Sequence, residues 1–407
     1  MDTNSRILTT VSPEERIDSF KRKRLAHRNL TKARDQLLSV LSETDPSSLV
    51  LIYGPTGVGK TTLANRIREY LESEEEKNPR GPGVIPVAWV EAVASSNAGF
   101  DWRDYYLRAL QALDEPLIDR KLDPDFMLTT PRAYQTHLKS KRPSITDLRR
   151  GLESALEQRK PKAFIIDEAQ HLKKIASGKR LIDQMDTIKS LANMTGVKHL
   201  LFGTYELFGL TNLSAQLNRR TVEIHLPRYL FDNPEDMEEF VYFLSGLEEN
   251  LPLPERSSLS EKPLALNFLY KRSAGCPGIL KDWMTRALAV AIAENAERLE
   301  ISHLEKTAIP DVQLARIARE IMEGEAQLAQ DRSEEIDSML GMTLPIKRKP
   351  TRSDPGNYSE KKTRNARPGV RKPFRDRIGC SSPETVKESI NDNSLSRPKG
   401  AQLPLSS

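Results

Sequence analysis

Apolar residues follow two rhythms along this chain. Short apolar runs at 49–53, 84–91, 163–166, 197–202 and 222–226 have the length of strands, and the unbroken ones read as strands buried on both faces. Between them lie stretches with helical spacing. Residues 13–43 place Ile17, Phe20, Leu25, Leu30, Leu37, Leu38 and Leu41 among charges, and a helix opens at Lys60. Further helices are predicted over 102–112, 144–158 (with Leu148, Leu152 and Leu156 at helical spacing) and 179–195. Alternating strands and helices predict a parallel, three-layer α/β sheet. After Pro234 the pattern changes to helices alone, over 234–247, 263–273, 278–295 and 302–326. The expected organisation is a helical segment at 1–47, an α/β domain at 48–230, a small helical domain at 231–328 and a tail at 329–407. Residues 114–143 read as a Pro-containing insertion ending in Lys139-Ser140-Lys141-Arg142-Pro143.

The first strand runs into Gly54-Pro55-Thr56-Gly57-Val58-Gly59-Lys60-Thr61, with Thr62 next on the helix. The G-x-x-x-x-G-K-[ST] spacing between a strand and a helix is that of a phosphate-cradling P-loop. Glycines let the backbone N–H groups turn inward toward phosphate oxygens, and the helix N-terminus adds its dipole. Lys60 supplies a point charge for the β- and γ-phosphates, and the Thr61 hydroxyl is a ligand for Mg²⁺. A second apolar strand, 163–166, ends in Asp167-Glu168. A carboxylate at the tip of a strand beside the P-loop strand is where Mg²⁺ needs a protein ligand, so Asp167 takes that role through water. Glu168 is then placed to polarise the attacking water as general base. The chemistry expected is ATP hydrolysis with Mg²⁺.

Charge changes the picture at the C-terminal end. The chain of 407 residues carries +5 overall, but residues 341–407 hold 15 Lys/Arg against 6 Asp/Glu, a net of +9, while the rest carries −4. That segment has repeated prolines and little periodicity, so it is expected to be disordered and to seek an acidic partner. No apolar run reaches the length of a membrane span, and the first 15 residues lack a signal-peptide core. The two cysteines, Cys276 and Cys380, give neither metal spacing nor a disulfide framework. A cytoplasmic protein is expected.

Taken together, the P-loop strand, the acid-tipped strand, a strand ending in Thr204, an Arg before the fifth strand and a following helical domain resemble the AAA+ ATPases. The wording of Ile166-Asp167-Glu168-Ala169-Gln170-His171-Leu172, Leu201-Phe202-Gly203-Thr204-Tyr205-Glu206-Leu207, Gln216-Leu217-Asn218-Arg219-Arg220 and Leu226-Pro227-Arg228-Tyr229 is similar to the TnsC/TniB transposition ATPases, over about residues 15–310. The resemblance implies an AAA+ three-layer αβα fold with a helical lid. It implies Thr204 as the sensor 1 residue holding the lytic water or γ-phosphate. Arg220 would be an arginine finger reaching a neighbouring subunit, with Arg219 beside it as the other candidate. Gly275-Cys276-Pro277-Gly278-Ile279-Leu280-Lys281 resembles the sensor 2 segment, with Lys281 where the family has Arg. Lys makes a single-point contact and lacks the guanidinium fork.

The same resemblance implies ATP-bound rings or helical filaments on duplex DNA, gripped through its backbone. Arg103, Lys139, Lys141, Arg142, Arg149 and Arg150 are the candidate DNA contacts. The basic tail would recruit a transposase, and the assembly would answer to a target-selection protein or an RNA-guided complex in a bacterial cell, at the nucleoid. Two other classes fit the P-loop equally: a signalling switch ATPase that does not bind DNA, and a secretion-associated ATPase, which the lack of a membrane segment disfavours. A replication initiator would call for a winged-helix domain after the lid, where the polar tail stands instead.

Overall fold

The computed structural model describes residues 11–42, 44–93, 100–118, 143–172, 179–208 and 220–329, together with Asp337 and Met339, and gives the backbone alone for 179–183. Residues 1–336 make one compact unit, which holds the sheet and its helices, and 337–407 make a second.

Five strands form one parallel sheet in the order β2-β3-β4-β1-β5: β1 (Leu49–Tyr53), β2 (Val87–Glu91), β3 (Ala163–Asp167), β4 (Lys198–Gly203) and β5 (Thr221–His225). β1 is an interior strand, aligned with 199–203 of β4 on one side and 221–225 of the edge strand β5 on the other. The acid-tipped β3 stands one strand out from β1 rather than directly beside it, with β4, the strand that ends at Thr204, between them as the resemblance implies. All five residues of β1 and of β3 are buried, which explains their unbroken apolar run. Side chains alternate across the pleat. Leu49, Leu51 and Tyr53 enter one core with α4 (Trp102–Ala112), α5 (Ile145–Arg159) and α6 (Lys179–Thr195). Val50 and Ile52 enter a second core with α2 (Arg28–Val40) and α3 (Lys60–Lys77). These are the three layers expected.

The predicted 13–43 helix is two helices. α1 (Pro13–Arg22) opens on a Ser12–Glu15 capping box and ends before Lys23, and α2 begins at Arg28. They serve different cores: Phe20 of α1 packs with the C-terminal helices, whereas Leu30 and Leu37 of α2 pack under the sheet. The basic run 21–24 thus straddles a helix end and a connector. β2 begins only after Pro86, three residues later than the apolar run suggested, because Pro cannot donate to the ladder.

Beyond the sheet, α7 (Pro234–Glu249), α8 (Pro263–Ser273), α9 (Pro277–Ala293), α10 (Ile301–Lys306) and α11 (Asp311–Leu328) follow. The predicted 302–326 helix is interrupted by Pro310, which lies outside α10 and caps α11. Trp283 of α9, fully buried, belongs to this helical core with Phe240, Leu244 and Leu288. α11 leaves that core: Ile317 and Ile321 pack against the sheet's second core and Leu328 against its first. Among the described residues no helix is long and apolar enough to cross a membrane.

Candidate functional site

The carboxyl ends of β1, β3 and β4 bring three motifs to one edge of the sheet, the edge where open parallel sheets bind ligands. From β1 the chain enters the Gly54–Lys60 loop. Gly57 and Gly59 adopt φ values of +80° and +105°, a region that favours glycine, and Gly59 caps α3. Lys60 folds back over the loop, its Nζ donating to the Gly54 carbonyl at 3.0 Å and the Pro55 carbonyl at 2.9 Å. Burial lowers the Lys60 pKa, and the charges of Glu168, Asp167 and Glu320 oppose that shift.

Thr61, the next residue, donates its hydroxyl to Asp167 Oδ2 at 3.3 Å. The Asp167 carboxyl is buried, and its pKa is raised by that burial and by the nearby Glu168 and Glu91 charges. A hydroxyl and a desolvated carboxylate in contact are hard oxygen donors of the kind Mg²⁺ takes, so these residues fit the cation. Among the described residues no group of three or more His, Cys, Asp or Glu side chains gathers as an all-protein metal cage. That is the ordinary condition for Mg²⁺, which keeps waters and phosphate oxygens as ligands.

Glu168 has φ +53°, an uncommon conformation for a non-glycine residue. Lys160 and Ala274 share it, but they cap helix ends, whereas Glu168 follows a strand and turns its chain away from Asp167. Its N–H donates to Asp167 Oδ1 at 2.9 Å. Gln170 then links two strand tips: its amide nitrogen donates to Glu168 Oε2, and its amide oxygen accepts from the Thr204 backbone N–H at 3.2 Å. The motif reading assigned Gln170 nothing. The available signal was an amide two residues after the acid pair. The Thr204 hydroxyl is buried with no hydrogen-bond partner in the described structure, an orphan that a phosphate or water oxygen would satisfy.

α9 closes the site from above. The Gly278 N–H donates to the Gly57 carbonyl at 2.6 Å, and a Cβ on Gly278 would lie 2.5 Å from that oxygen, so only glycine lets α9 sit on the loop. Ile279 packs on Gly57. A cleft between the α1–α2 connector, the loop and α9 is lined by His27, Val58, Thr62, Phe243 and Lys281. Its free volume is about 60 Å³, far below the ~300–1,000 Å³ of ligand pockets. Burial pushes the His27 pKa down to about 4.

The remaining candidates stand elsewhere. Lys281 lines that cleft, but its Nζ donates to the carbonyls of Lys21, at 2.9 Å, and Lys23, at the C-terminal end of α1. The negative end of the α1 dipole holds the cation that the motif aimed at the nucleotide. Arg220 is exposed at the amino end of β5, its carbonyl accepting from the N–H groups of Ser48, at 3.1 Å, and Leu49, at 3.3 Å. It is on the opposite edge of the sheet from the P-loop. Arg219, Lys139, Lys141 and Arg142 lie outside the described residues. Arg103 donates to the Pro143 carbonyl at 2.7 Å. Arg149 pairs with Glu153 at 3.0 Å and reaches Ser190, and Arg150 also interacts within the fold.

Residues 44–211 match the family model described as an AAA domain. A comparison with curated proteins finds no match. Among solved structures, the chain is similar to the ORC2 protein of Aeropyrum pernix in its ADP form, at 17% identity over 71% of each chain with a TM-score of 0.46. It is similar to a Walker-type ATPase of Pyrococcus abyssi at 16% identity, over 79% of this chain and 82% of that one, TM-score 0.43. A Drosophila ORC structure bound to DNA shares 15% identity over 79% and 82%, TM-score 0.37. The sheet order, the P-loop after the interior strand β1 and the C-terminal helices make the fold an α/β AAA+ fold.

Proposed function

We propose that this protein is an ATPase that works as a nucleotide-dependent regulator on duplex DNA, of the transposition type. The observation that carries the ATPase reading is the contact chain Thr61–Asp167 and Glu168–Gln170–Thr204 at the mouth of the loop that holds Lys60. In it, the backbone of 54–59, with Lys60, Thr61 and Thr62, cradles the phosphates. Thr61 and Asp167 hold Mg²⁺, which when bound neutralises charge on the β- and γ-phosphates. Glu168 accepts the proton of the attacking water, and Thr204, held by Gln170, orients that water or the γ-phosphate.

Arg220 supports an assembled form. Its edge of the sheet faces away from its own P-loop, so a finger role requires a second copy of the chain. The transposition reading rests on the motif wording around Glu168, Thr204 and Arg228. With it come a ring or filament on the DNA backbone, a target-selection partner and a transposase recruited by the basic tail. The charges named for DNA contact give that part less support, since Arg103 and Arg149 are partly buried and held by neighbours. A DNA-independent switch ATPase is the second reading, favoured by those engaged arginines.

Negative-stain microscopy of the full chain with duplex DNA, with and without a slowly hydrolysed ATP analogue, separates the two. Nucleotide-dependent rings or filaments on DNA are expected. A monomer indifferent to DNA would transfer the assignment to the switch class. For the ATPase itself, Lys60→Ala should lose ATP binding and Glu168→Gln should bind ATP but turn it over slowly. Mixing Lys60→Ala with Arg220→Ala should restore part of the turnover that each lacks. No restoration would remove the trans role of Arg220.

A further inference from the structure

The amino-terminal edge of the sheet, opposite the P-loop, opens into a cavity of about 650 Å³, within the ~300–1,000 Å³ of ligand pockets. Lys162, Lys198 and Arg220 stand along it. Lys162 directly precedes β3, Lys198 opens β4 and Arg220 directly precedes β5. The register sets Ala163 level with Lys198, and His199, Leu49 and Thr221 level with one another, so the three cations lie close to one line. Neighbouring strands are about 4.8 Å apart and β5 is the third strand from β3, so Lys162 and Arg220 flank a gap of about 14 Å. Lys198 is engaged, its Nζ donating to the carbonyls of Asp45 at 2.8 Å and Ser47 at 3.2 Å. Asp45, the one acid among the described lining residues, accepts from the Ser47 N–H at 2.8 Å and faces Lys198 at 3.5 Å. Lys162 and Arg220 are exposed and form no ion pair among the described residues. The wall also holds apolar Leu38 and Leu41, and a Ser48 hydroxyl that is buried with no hydrogen-bond partner in the described structure.

Two open cations across such a gap, with apolar wall and a spare hydroxyl, suit an extended segment that carries an acid, an apolar residue and an acid at alternate positions. In an extended chain residues i, i+2 and i+4 share a face, and i to i+4 spans about 13 Å. The pattern occurs in this chain. Glu384, Val386, Glu388, Ile390 and Asp392 alternate acid and apolar at every second position, while Thr385, Lys387, Ser389 and Asn391 between them are polar. Half of the six acids of the basic 341–407 region fall in this stretch. The remainder of the region, with 14 Lys/Arg against 3 Asp/Glu, is repelled by the same cations, which restricts what can enter. We propose that the cavity seats residues 384–392 of a second copy of the chain. Two successive acids of the stretch meet Lys162 and Arg220, and the apolar residue between them meets Leu38 and Leu41. The amino edge is thus a docking surface that links copies through their C-terminal segments. It needs no nucleotide and stands apart from the P-loop reading.

The test is fluorescence anisotropy with a labelled peptide of residues 383–393. The acceptor is the full chain carrying Glu384→Gln, Glu388→Gln and Asp392→Asn, so that its own segment does not compete. The peptide should bind without nucleotide at low salt. Adding Lys162→Ala or Arg220→Ala to the acceptor, each an exposed change that leaves the fold intact, should weaken binding about tenfold. A peptide of the same composition with its acids moved off alternate positions should also bind about tenfold more weakly. In analytical ultracentrifugation without nucleotide, the wild-type chain should sediment as a larger species than the chain with the three acids neutralised. The proposal fails if the peptide does not bind, if the rearranged peptide binds as well, or if neither cavity variant weakens it. Displacement of the peptide by an equal concentration of tripolyphosphate would make the cavity a site for any anion and overturn the segment reading. Identical sedimentation of the two chains overturns the link between copies. Every readout is taken without nucleotide, so a failed P-loop reading and a failed docking surface are told apart.

Discussion

Gln170 is the residue on which the geometry of the reacting edge turns, and replacing it tests that geometry directly. Gln170→Leu is one atom shorter but keeps most of the side chain's bulk in a site that is 8% exposed, and it removes both amide contacts. The Thr204 N–H then loses its acceptor at 3.2 Å. An unpaired buried backbone donor costs about 1–3 kcal/mol. The contact to Glu168 adds less than a fully buried charged hydrogen bond would, because Glu168 is only partly buried and water replaces the amide. The unfolding free energy should therefore drop by about 2 kcal/mol in a urea titration. Turnover should fall further than that loss explains. A positioned general base contributes about 10²–10⁴ in rate, and an untethered one keeps only part of it, so kcat should fall about ten- to hundredfold. KM for ATP should stay within about threefold, since the phosphate loop is untouched. Gln170→Glu separates the two contacts. It still offers Thr204 an acceptor, but it sets a like charge against Glu168, worth about 4 kcal/mol at about 4 Å in a partly screened site. Part of that repulsion should appear as lost stability, the rest relieved as Glu168 swings toward solvent, and the variant should turn over poorly. If Gln170→Leu loses stability yet releases phosphate at the wild-type kcat, the bridge does not position Glu168 and the reasoning fails.

Three further perturbations bear on the frame that holds the site. Gly278→Ala should lower ATP affinity and cost about 1–3 kcal/mol of stability, because its Cβ meets the Gly57 carbonyl; unchanged affinity by calorimetry would show that α9 need not sit on the loop. Asp236 joins two helices, pairing with Arg28 and accepting the Leu230 N–H at 2.9 Å, with both ionised side chains mostly buried. Asp236→Ala should cost about 3 kcal/mol in urea, and a loss under about 1 kcal/mol would mean Arg28 finds another partner. Burial holds the His27 and His199 rings neutral down to about 4, against 6.5 in the unfolded chain. Between those values the unfolded chain binds more protons, so stability is full above about 6.5 and is lost as pH falls toward about 4, by about 1.4 kcal/mol per pH unit per ring. His199→Leu should remove its share of that slope; an unchanged slope would place the titration elsewhere.

What could be read from the sequence was what local chemistry decides. β1 and β3 were legible because both faces are covered, which forces an unbroken apolar run. α5 announces its start through the Ser144–Asp147 capping box, and α7, α8 and α9 each open on a proline. The break between α1 and α2 also had a signal. From Phe20 to Leu25 to Leu30 the apolar step is five, which fits no helical face, and charge periodicity hid it. The phosphate loop and its acid pair were legible for the same reason as the strands, since each is a short contiguous motif. Gln170 was not, because its role depends on β3 lying beside β4, which brings the two strand tips together across 34 residues. Arg228 was hidden for a stronger reason. Its partner is 97 residues away on a helix that leaves one core to pack on another.

The two cations borrowed from the motif resemblance, Lys281 and Arg220, differ in how the fold disposes of them, and the difference is physical. Lys281 stands within the cleft but is claimed by two carbonyls at the end of α1, so it can turn to a phosphate only by giving up those bonds. Arg220 is exposed, with no ion pair to another side chain among the described residues. Its place is nonetheless fixed, because β5 is locked in register to β1 from Thr221 onward. A five-residue strand is about 16 Å long, so Arg220 starts at least that far from the loop that leaves β1 at its other end. No rotamer of an arginine spans that distance through the sheet. Hydrolysis that depends on Arg220 is therefore hydrolysis that depends on a neighbouring copy, whereas hydrolysis that depends on Lys281 is a matter of how α1 and α9 part. The first would be sensitive to protein concentration and to any scaffold that aligns copies, and the second would not.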